Sequence, residues 1–474
     1  MKKNKHIIIV LVLLSFAACK TPTLVKKEVN TAVPDSFNGV KDSVSSASLN
    51  WKEYFIDPKL NALIDTALAN NQELNITMQE IEIAKNEVRD KKGEYLPSVG
   101  IAAGAGVDKV SRYTTAGASE ATTDIVPGRE TPENVQDYYV GLYATWELDI
   151  WKKLRNSKKA AVSRYLSSIE GKNFMVTSLI SEIANSYYEL LALDNEMRII
   201  TNNIEIQSNA LRIVKIQKQA ARVTELAVRK FEAEVLKTKS LLFDTQQEIT
   251  ETENKINFLV GRFPQHIERS SDEFFDLVPN SIKSGMPSQL LQNRPDIRKA
   301  EFDLAASKLD VKSAKASFYP SLGISAGFGL EAFDTKYFLT TPESLLYSLA
   351  GDLTAPLINK NAIKAAYYSA NSKQIQAVYN YERAILNGYV EVANELSNID
   401  NLKKSYELRE KEVEALTESI KISNSLFRAA RADYMEVLLT QRDALEAKFE
   451  LVETKKKQMN AMVNVYRTLG GGWN

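Results

Sequence analysis

The sequence predicts a mainly α-helical fold that also carries four β-segments of membrane-crossing length, the whole written as two tandem copies of one pattern. Three observations predict it. YLPSVGIAAGAGV, starting at Tyr95, returns almost unchanged as FYPSLGISAGFGL, starting at Phe318. In each, a proline opens a run whose alternate residues are apolar while most others are Gly, Ala or Ser, the period of a strand. Residues 152–219 and 361–430 run without proline and with one glycine each, Gly171 and Gly388. Heptads follow both runs.

The two copies align with one change of spacing. Pro97 maps onto Pro320, an offset of 320 − 97 = 223, and Gly261 maps onto Gly470, an offset of 470 − 261 = 209. Between these anchors, AARVTELAVRKFEAE from Ala220 matches AARADYMEVLLTQRD from Ala429 at the same 209, as does Glu147 with Pro356. The difference, 223 − 209 = 14 residues, falls in the polar stretch Asp108 to Asp137, whose counterpart is the shorter Glu331 to Ser344. Self-similarity of this kind is the mark of a duplicated scaffold.

From the N-terminus, Lys2, Lys3 and Lys5 precede the apolar run Ile7 to Leu14 and the small residues of SFAAC. A charged region followed by a short apolar one reads as a signal peptide. The single cysteine, Cys19, stands at its boundary and resembles a bacterial lipobox, with Phe16 where leucine is usual. A signal cut by another peptidase, with Cys19 incidental, is the alternative. No later stretch is apolar for the eighteen or so residues of a spanning helix, so a membrane crossing would have to use strands in a closed barrel.

The strands expected are Ser98–Val107, Tyr138–Leu148, Ser321–Leu330 and Leu345–Ala355. Their apolar rows are Val99 to Val107, Val140 to Leu148, Leu322 to Leu330, and Leu345, Tyr347, Leu349 and Leu353. Ten or so residues suffice for a tilted strand to cross a bilayer, although four strands of an ordinary half-buried sheet would alternate in the same way. Tyr138, Tyr139, Tyr143, Trp146 and Trp151 cluster at strand ends, as an interfacial aromatic belt would.

Each proline-free run would extend roughly 100 Å as one helix. The following segments place Val228, Val235, Leu242, Ile249 and Ile256 on one seam row and Phe231, Thr238, Thr245, Thr252 and Leu259 on the other. The second copy gives Val437, Ala444, Leu451, Gln458 and Val465 against Thr440, Ala447, Thr454, Ala461 and Thr468. This is coiled-coil spacing with one row mostly of Thr and Ala, a seam too poor in apolar area to stand without further neighbours.

Composition excludes several functions. Lys+Arg and Asp+Glu are equal at 60 each, with 44% hydrophobic and 25% charged residues, so no nucleic-acid surface is indicated. Of two histidines, His6 lies in the signal and His266 stands alone beside Pro264. With one cysteine, no phosphate-binding glycine loop and no nucleophile motif, the chain reads as a non-enzyme with no catalytic residues, metal or cofactor, its one covalent group a lipid on Cys19.

Four strands cannot close a barrel, and an open edge in lipid leaves backbone groups unpaired at several kcal/mol each, so strands in a membrane would require further copies of the chain. WKEYFIDPKLNALIDTALANN from Trp51, GLYATWELDIWKKLR from Gly141, the block from Met286 containing RPDI, and the terminal LGGGW carry a resemblance. Over essentially the whole mature chain they resemble the TolC-like outer-membrane efflux protein family, and within it the lipoprotein branch that serves resistance-nodulation-division (RND) pumps. The resemblance implies a homotrimer with a twelve-stranded barrel in the outer membrane and a helical tunnel through the periplasm. It also implies a periplasmic adaptor and an inner-membrane RND pump as partners, with drugs, metals or other small solutes passing through. Family members carry glycine at the strand-to-helix bends; Lys152 and the NKN of Asn359 to Asn361 stand there instead, so the first bend is expected to be built differently.

The resemblance also places a periplasmic gate near the start of the helix after each helical turn. There Met435 matches an apolar constriction and Glu436 a carboxylate position, Leu439 replaces a second carboxylate, and Asp433 stands close by. In the first copy the matching tip carries Glu225, and Arg222 and Arg431 are candidates to hold the tip by ion pairs. Asp433 and Glu436 also read as first-turn acids favoured by the helix dipole. The expected divisions are 1–18 signal peptide, 19–57 lipid-anchored segment, 58–263 first repeat, 264–287 equatorial linker and 288–474 second repeat. Rival readings are the exit duct of a type I protein-secretion system and a lipid-anchored periplasmic coiled-coil scaffold.

Overall fold

The computed structural model describes residues 21–37, 44–277, 283–429 and 431–473. Cys19 and the signal segment 1–18, and part of the 264–287 linker, lie outside the described residues. The main elements are α1 (Pro58–Asn70), α2 (Gln72–Tyr95), β1 (Ser98–Asp108), β2 (Val135–Leu148), α3 (Lys153–Gln219) and α4 (Glu225–Val260). They continue as α5 (Pro295–Ala316), β3 (Ser321–Ala332), β4 (Leu345–Thr354), α6 (Asn361–Arg428) and α7 (Tyr434–Thr468). The order helix, strand, strand, long helix, helix therefore occurs twice. The strand boundaries depart from the expected ones by no more than three residues at any end. The polar stretch after β1 is not featureless: it folds into a short helix, Thr115–Glu120, and a small hairpin, Asp124–Val126 with Arg129–Glu130.

The chain forms two compact units. One comprises the described residues of 1–28 with 82–166 and 302–378. Its centre is a four-stranded antiparallel sheet in the order β1-β2-β3-β4, so the second hairpin lies beside the first. Below the strands, the Ser313 hydroxyl donates to the Lys153 carbonyl at 3.0 Å and Arg164 pairs with Asp310, tying α5 to the start of α3.

The other unit comprises 29–81, 167–301 and the residues from 379 on. Its core gathers Leu60, Ile64 and Ala67 of α1, Ile180, Ile183, Tyr187 and Leu190 of α3, Ile256 and Val260 of α4, and Met459, Met462, Val463 and Tyr466 of α7. Such side chains contribute about 1.5–3 kcal/mol each on full burial. Helix α1 starts here because Pro58 sits in its first turn, where no N–H partner is needed, and the Asp57 carboxylate accepts from the Lys59 N–H at 2.8 Å. The same carboxylate accepts from the Tyr187 hydroxyl at 2.7 Å, which locks the cap onto α3.

The heptad rows behave as their spacing predicts. Val228, Phe231, Val235, Thr238, Thr245, Ile249, Thr252, Ile256 and Leu259 of α4 are buried, as are Val437, Ala444, Ala447, Leu451, Thr454, Ala461, Val465 and Thr468 of α7. Leu242, Thr440 and Gln458 are half-buried; Gln458 spends its amide on the Leu402 carbonyl of α6.

The two halves also end alike. Gly261 after α4 has φ +78° and Gly470 after α7 has φ +91°, and in each turn the next residue's N–H returns to the helix, Arg262 to Asn257 and Gly471 to Tyr466. Each glycine is pressed against the end of a helix in its own half: a Cβ would stand 2.5 Å from the Asn70 carbonyl oxygen at Gly261 and 2.5 Å from that of Asn293 at Gly470. No side chain fits either place.

Candidate membrane sheet and pore tip

Register decides what the sheet presents. Val99, Ile101, Ala103 and Ala105 stand opposite Ala144, Leu142, Val140 and Tyr138. The row continues through Ala326, Phe328 and Leu330 of β3, with Ile324 opposite Trp146, and onto Leu345, Tyr347 and Leu349 of β4. Because side chains alternate between faces, these apolar rows from all four strands share one face. That face is open in the single chain, with Ile101 71% and Leu349 79% exposed. The opposite face is mostly small or polar, with Ser98 opposite Thr145, Thr145 opposite Ser325 and Gly323 opposite Asp352, and it also carries Tyr139, Tyr143 and Leu346. Among the described residues, no strand lies beside the outer backbone edges of β1 and β4.

The five aromatic candidates do not share one surface. Tyr138 and Trp146 stand in the apolar row, but Tyr139 and Tyr143 are odd-numbered and point to the other face. There they lie over glycines of the neighbouring strand: a Cβ on Gly104 or Gly100 would run into the rings of Tyr139 and Tyr143. Their register opposite Gly104 and Gly100 explains both the tyrosines and the glycines as cross-strand packing. Trp151 lies past the strand, stacked on Tyr319 at 4.7 Å, with its Nε1 donating to the Pro320 carbonyl at 2.7 Å. Trp146 Nε1 likewise donates to the Tyr95 carbonyl at 3.2 Å.

The expectation that the first bend is built differently for lack of glycine is corrected. Lys152 takes up the left-handed backbone itself, φ +61°, as Asn359 does at φ +54°. What holds Lys152 there is Asp149. Its buried carboxylate accepts from the Leu154 and Arg155 N–H groups at 3.0 and 2.8 Å, capping α3. Arg155 closes the turn by donating from Nε to the Asp149 carboxylate at 3.1 Å and from Nη2 to its carbonyl at 2.6 Å.

At the far end of the coiled segments, Val214, Ala227, Val228, Phe231 and Val437 form a small buried cluster that joins the two helical turns, with Phe427, Tyr434 and Leu438 packed against it. Around it the charged candidates are placed unequally. Glu225 opens α4 and is bound on two sides, by Lys218 at 3.1 Å and Arg229 at 2.9 Å. The hydrogen bond from Lys218, then its charge and that of Arg229, hold the Glu225 carboxyl below the usual carboxylate range. Asp433 is the cap residue of α7 but its side chain makes no capping bond, and Glu436 lies in the first turn. Both are exposed, as are Arg222, Arg431 and Leu439, and Met435 is half-buried.

Among the described residues neither Arg222 nor Arg431 forms an ion pair, so the arginines named from the sequence are not the ones that hold this tip; Lys218 and Arg229 are. The spacing of Glu225 and Arg229, one helical turn, was a readable signal; Lys218 is brought in only by the turn. Lys230 is a further addition, its Nζ 3.6 Å from Met435 Sδ across the two tips.

A mainly helical chain whose four-stranded antiparallel sheet leaves its apolar face exposed has the build of a channel protein. The comparisons agree. The profile described as "Outer membrane efflux protein" matches residues 63–262 and 286–471, one stretch per half, and the chain belongs to that family, whose members are outer-membrane proteins. It is similar to the pyoverdine export outer membrane protein OpmQ of Pseudomonas aeruginosa, 27% identical over 444 residues, covering 93% of this chain and 92% of that one. It is also similar to the probable outer membrane lipoprotein SilC of Salmonella typhimurium, 23% identical over 93% of each chain. Among solved structures, a membrane protein of Pseudomonas aeruginosa superposes with a TM-score of 0.85 at 23% identity, covering 95% of this chain and 99% of that one. The open state of the Neisseria gonorrhoeae MtrE outer membrane channel gives 0.82 at 22% identity, covering 96% and 99%.

Proposed function

We propose that the chain arose by tandem duplication and works as a homotrimer, each copy donating four strands to one twelve-stranded barrel in the outer membrane and its long helices to a tube. The trimer is the passive exit duct of a tripartite efflux system, taking small solutes, whether drugs or metals, from an inner-membrane RND pump through a periplasmic adaptor. The observation that carries this is the sheet: one continuous apolar face and, among the described residues, two unpaired edges, which a membrane tolerates only if another copy pairs with them. The duct needs no bond-making step; flow follows the pump.

A lipid on Cys19 anchors the mature N-terminus, and Tyr138 and Trp146, on the apolar face, mark the membrane boundary. At the tip, Glu436 and Asp433, which form no ion pair among the described residues, converge about the three-fold axis, where like charges attract cations and lower their barrier. Met435 and Leu439 narrow the same passage, and the Glu225 cluster stiffens its outer rim.

Two measurements test the reading together. The purified protein is expected to have the mass of a trimer in detergent and to insert as a pore of low conductance. A Tyr113→Cys variant, at a fully exposed position in the loop after β1, is expected to react with an impermeant maleimide on intact cells. A monomer without conductance whose loop is shielded in intact cells would leave a periplasmic scaffold. Converting Glu436 and Asp433 to Gln and Asn should reduce cation selectivity; unchanged selectivity would return both to helix-dipole acids.

A further inference from the structure

Between α3, α6 and α7 lies a cavity of about 320 Å³ that the duct reading does not use. Its walls are chiefly apolar, with Ile199 and Ile206 of α3, Ile420 of α6 and Leu451 of α7. Three amides interrupt them, Asn202, Asn203 and Gln441, and the last two carry buried atoms without a hydrogen bond. Gln441 of α7 lines the cavity at 1% exposure with neither its Oε1 nor its Nε2 hydrogen-bonded, and Asn203 of α3, 8% exposed, has an unpaired Nδ2. One turn beyond Asn203, Gln207 is 1% exposed and likewise unpaired at both amide atoms.

An unmet buried donor or acceptor costs about 1–3 kcal/mol, so amide groups left this way in a small space form a cost that a matching molecule would remove. The charges around the cavity balance: Glu410 and Lys448 line it, and Lys455, set 5.0 Å over the Tyr406 ring, feels Asp276 and Glu410. An ion therefore gains little there. Gln441 offers an N–H and a carbonyl side by side, and the complement of that edge is a group with an acceptor beside a donor, as in a primary carboxamide or a lactam. The volume is at the lower end of what small-molecule sites enclose.

We propose that this cavity binds a compact, uncharged, mostly apolar molecule bearing a carboxamide or lactam edge, which pairs with Gln441 while Asn203 supplies a further donor.

Naphthalene-2-carboxamide is the probe, titrated against the full-length protein in detergent by its own fluorescence, with its N,N-dimethyl derivative, which keeps the carbonyl and loses both donors, as the control. The expected result is saturable binding of the primary amide, weakened about tenfold or more by N-dimethylation and by Gln441→Leu. If Gln441→Leu does not assemble, Ala444→Phe, which fills the cavity from the same helix, serves instead and is expected to abolish binding. Equal binding of the two compounds, binding unchanged in these variants, or no binding with only ordered water in the cavity would each overturn the proposal.

Discussion

The two halves meet their own long helices through the same joint, built once without charge and once with it. In the first half Asn71 precedes α2; its Oδ1 caps the helix by accepting from the Leu74 N–H, and its Nδ2 donates to the Leu259 carbonyl at 2.8 Å. In the second half the corresponding residue is Arg294, since 71 + 223 = 294, and it donates to the Thr468 carbonyl at 2.9 Å, where 259 + 209 = 468. The same carbonyl is sought in both, but arginine brings a charge into a site where it is 4% exposed. Asp296 holds it with two bonds of 3.0 and 2.7 Å, and Glu391 of α6 with one of 2.8 Å. A buried guanidinium requires such partners. The RPDI block thus reads physically as a charged staple binding α5, α6 and the end of α7, where the first half makes do with an amide. Trp473 seals it by donating from Nε1 to the Asn293 carbonyl at 3.1 Å.

Loss of the charged staple is expected to destabilise the protein most. Arg294→Leu is expected to cost about 3 kcal/mol, toward the low end for a broken buried ion pair because Asp296 and Glu391 keep some water contact. Asn71→Leu should cost about 1–2 kcal/mol, the loss of two hydrogen bonds. Thermal midpoints followed by circular dichroism in detergent rank the two; an equal loss would mean the charge adds nothing beyond the shared carbonyl contact. Next come the glycines. Gly261→Ala and Gly470→Ala should each cost about 2 kcal/mol or more, since both put a Cβ against a carbonyl in a left-handed turn. Here equality is the expected result, and a neutral change at either turn would show that the joints differ.

Much of this architecture was legible in the residues. Alternation in four short runs and heptads in two segments are local signals, and the register then places every apolar row on one face. What was hidden depends on which residues meet. Tyr139 and Tyr143 read as belt aromatics by their place in the strand, although alternation already sets them off the Val140 to Leu148 row; only the pairing shows that their rings lie over Gly104 and Gly100. Arg222 and Arg431 read as tip clamps by position, whereas Lys218, on the preceding helix, reaches Glu225 through the turn geometry. The unpaired amides of Asn203 and Gln441 had no sequence signature, because the space between three helices sets their isolation.

Titration separates the halves as well. Glu196 of α3 lies among Glu189, Glu248, Glu453 and Lys456, and burial, offset by Lys456 and reinforced by the three carboxylates, pushes its carboxyl from 4.5 up to about 7. The second half has Ser405 there, 196 + 209 = 405. The folded state takes up the proton more readily than the unfolded chain does. The Glu196 contribution to stability is therefore fully present below about pH 4.5 and is lost as the pH rises through about 7. Glu196→Gln should stabilise the protein by about 1–2 kcal/mol at pH 8, with part-exposure trimming the full linkage value, and leave it unchanged at pH 4. A difference between variant and parent that does not vary over this range would remove Glu196 from the pH response.

The smallest expected effect concerns the two bends. Lys152 and Asn359 hold positive φ, a backbone costing roughly 1–2 kcal/mol for a residue with a Cβ and less for asparagine. Glycine relieves that strain but raises the entropy of the unfolded chain by about 0.5–1 kcal/mol. Lys152→Gly is then expected to stabilise by about 0.5 kcal/mol and Asn359→Gly to change nothing measurable, since the strain relieved and the entropy added nearly cancel at asparagine. The first bend keeps a strained lysine because Asp149 fixes its turn through two N–H groups of α3 and two bonds from Arg155, so the gain should vanish in an Asp149→Ala background, where the turn is free to relax. If Lys152→Gly instead lowers the thermal midpoint in the parent, the lysine side chain itself stabilises the bend, and the left-handed backbone there costs less than the strain argument holds.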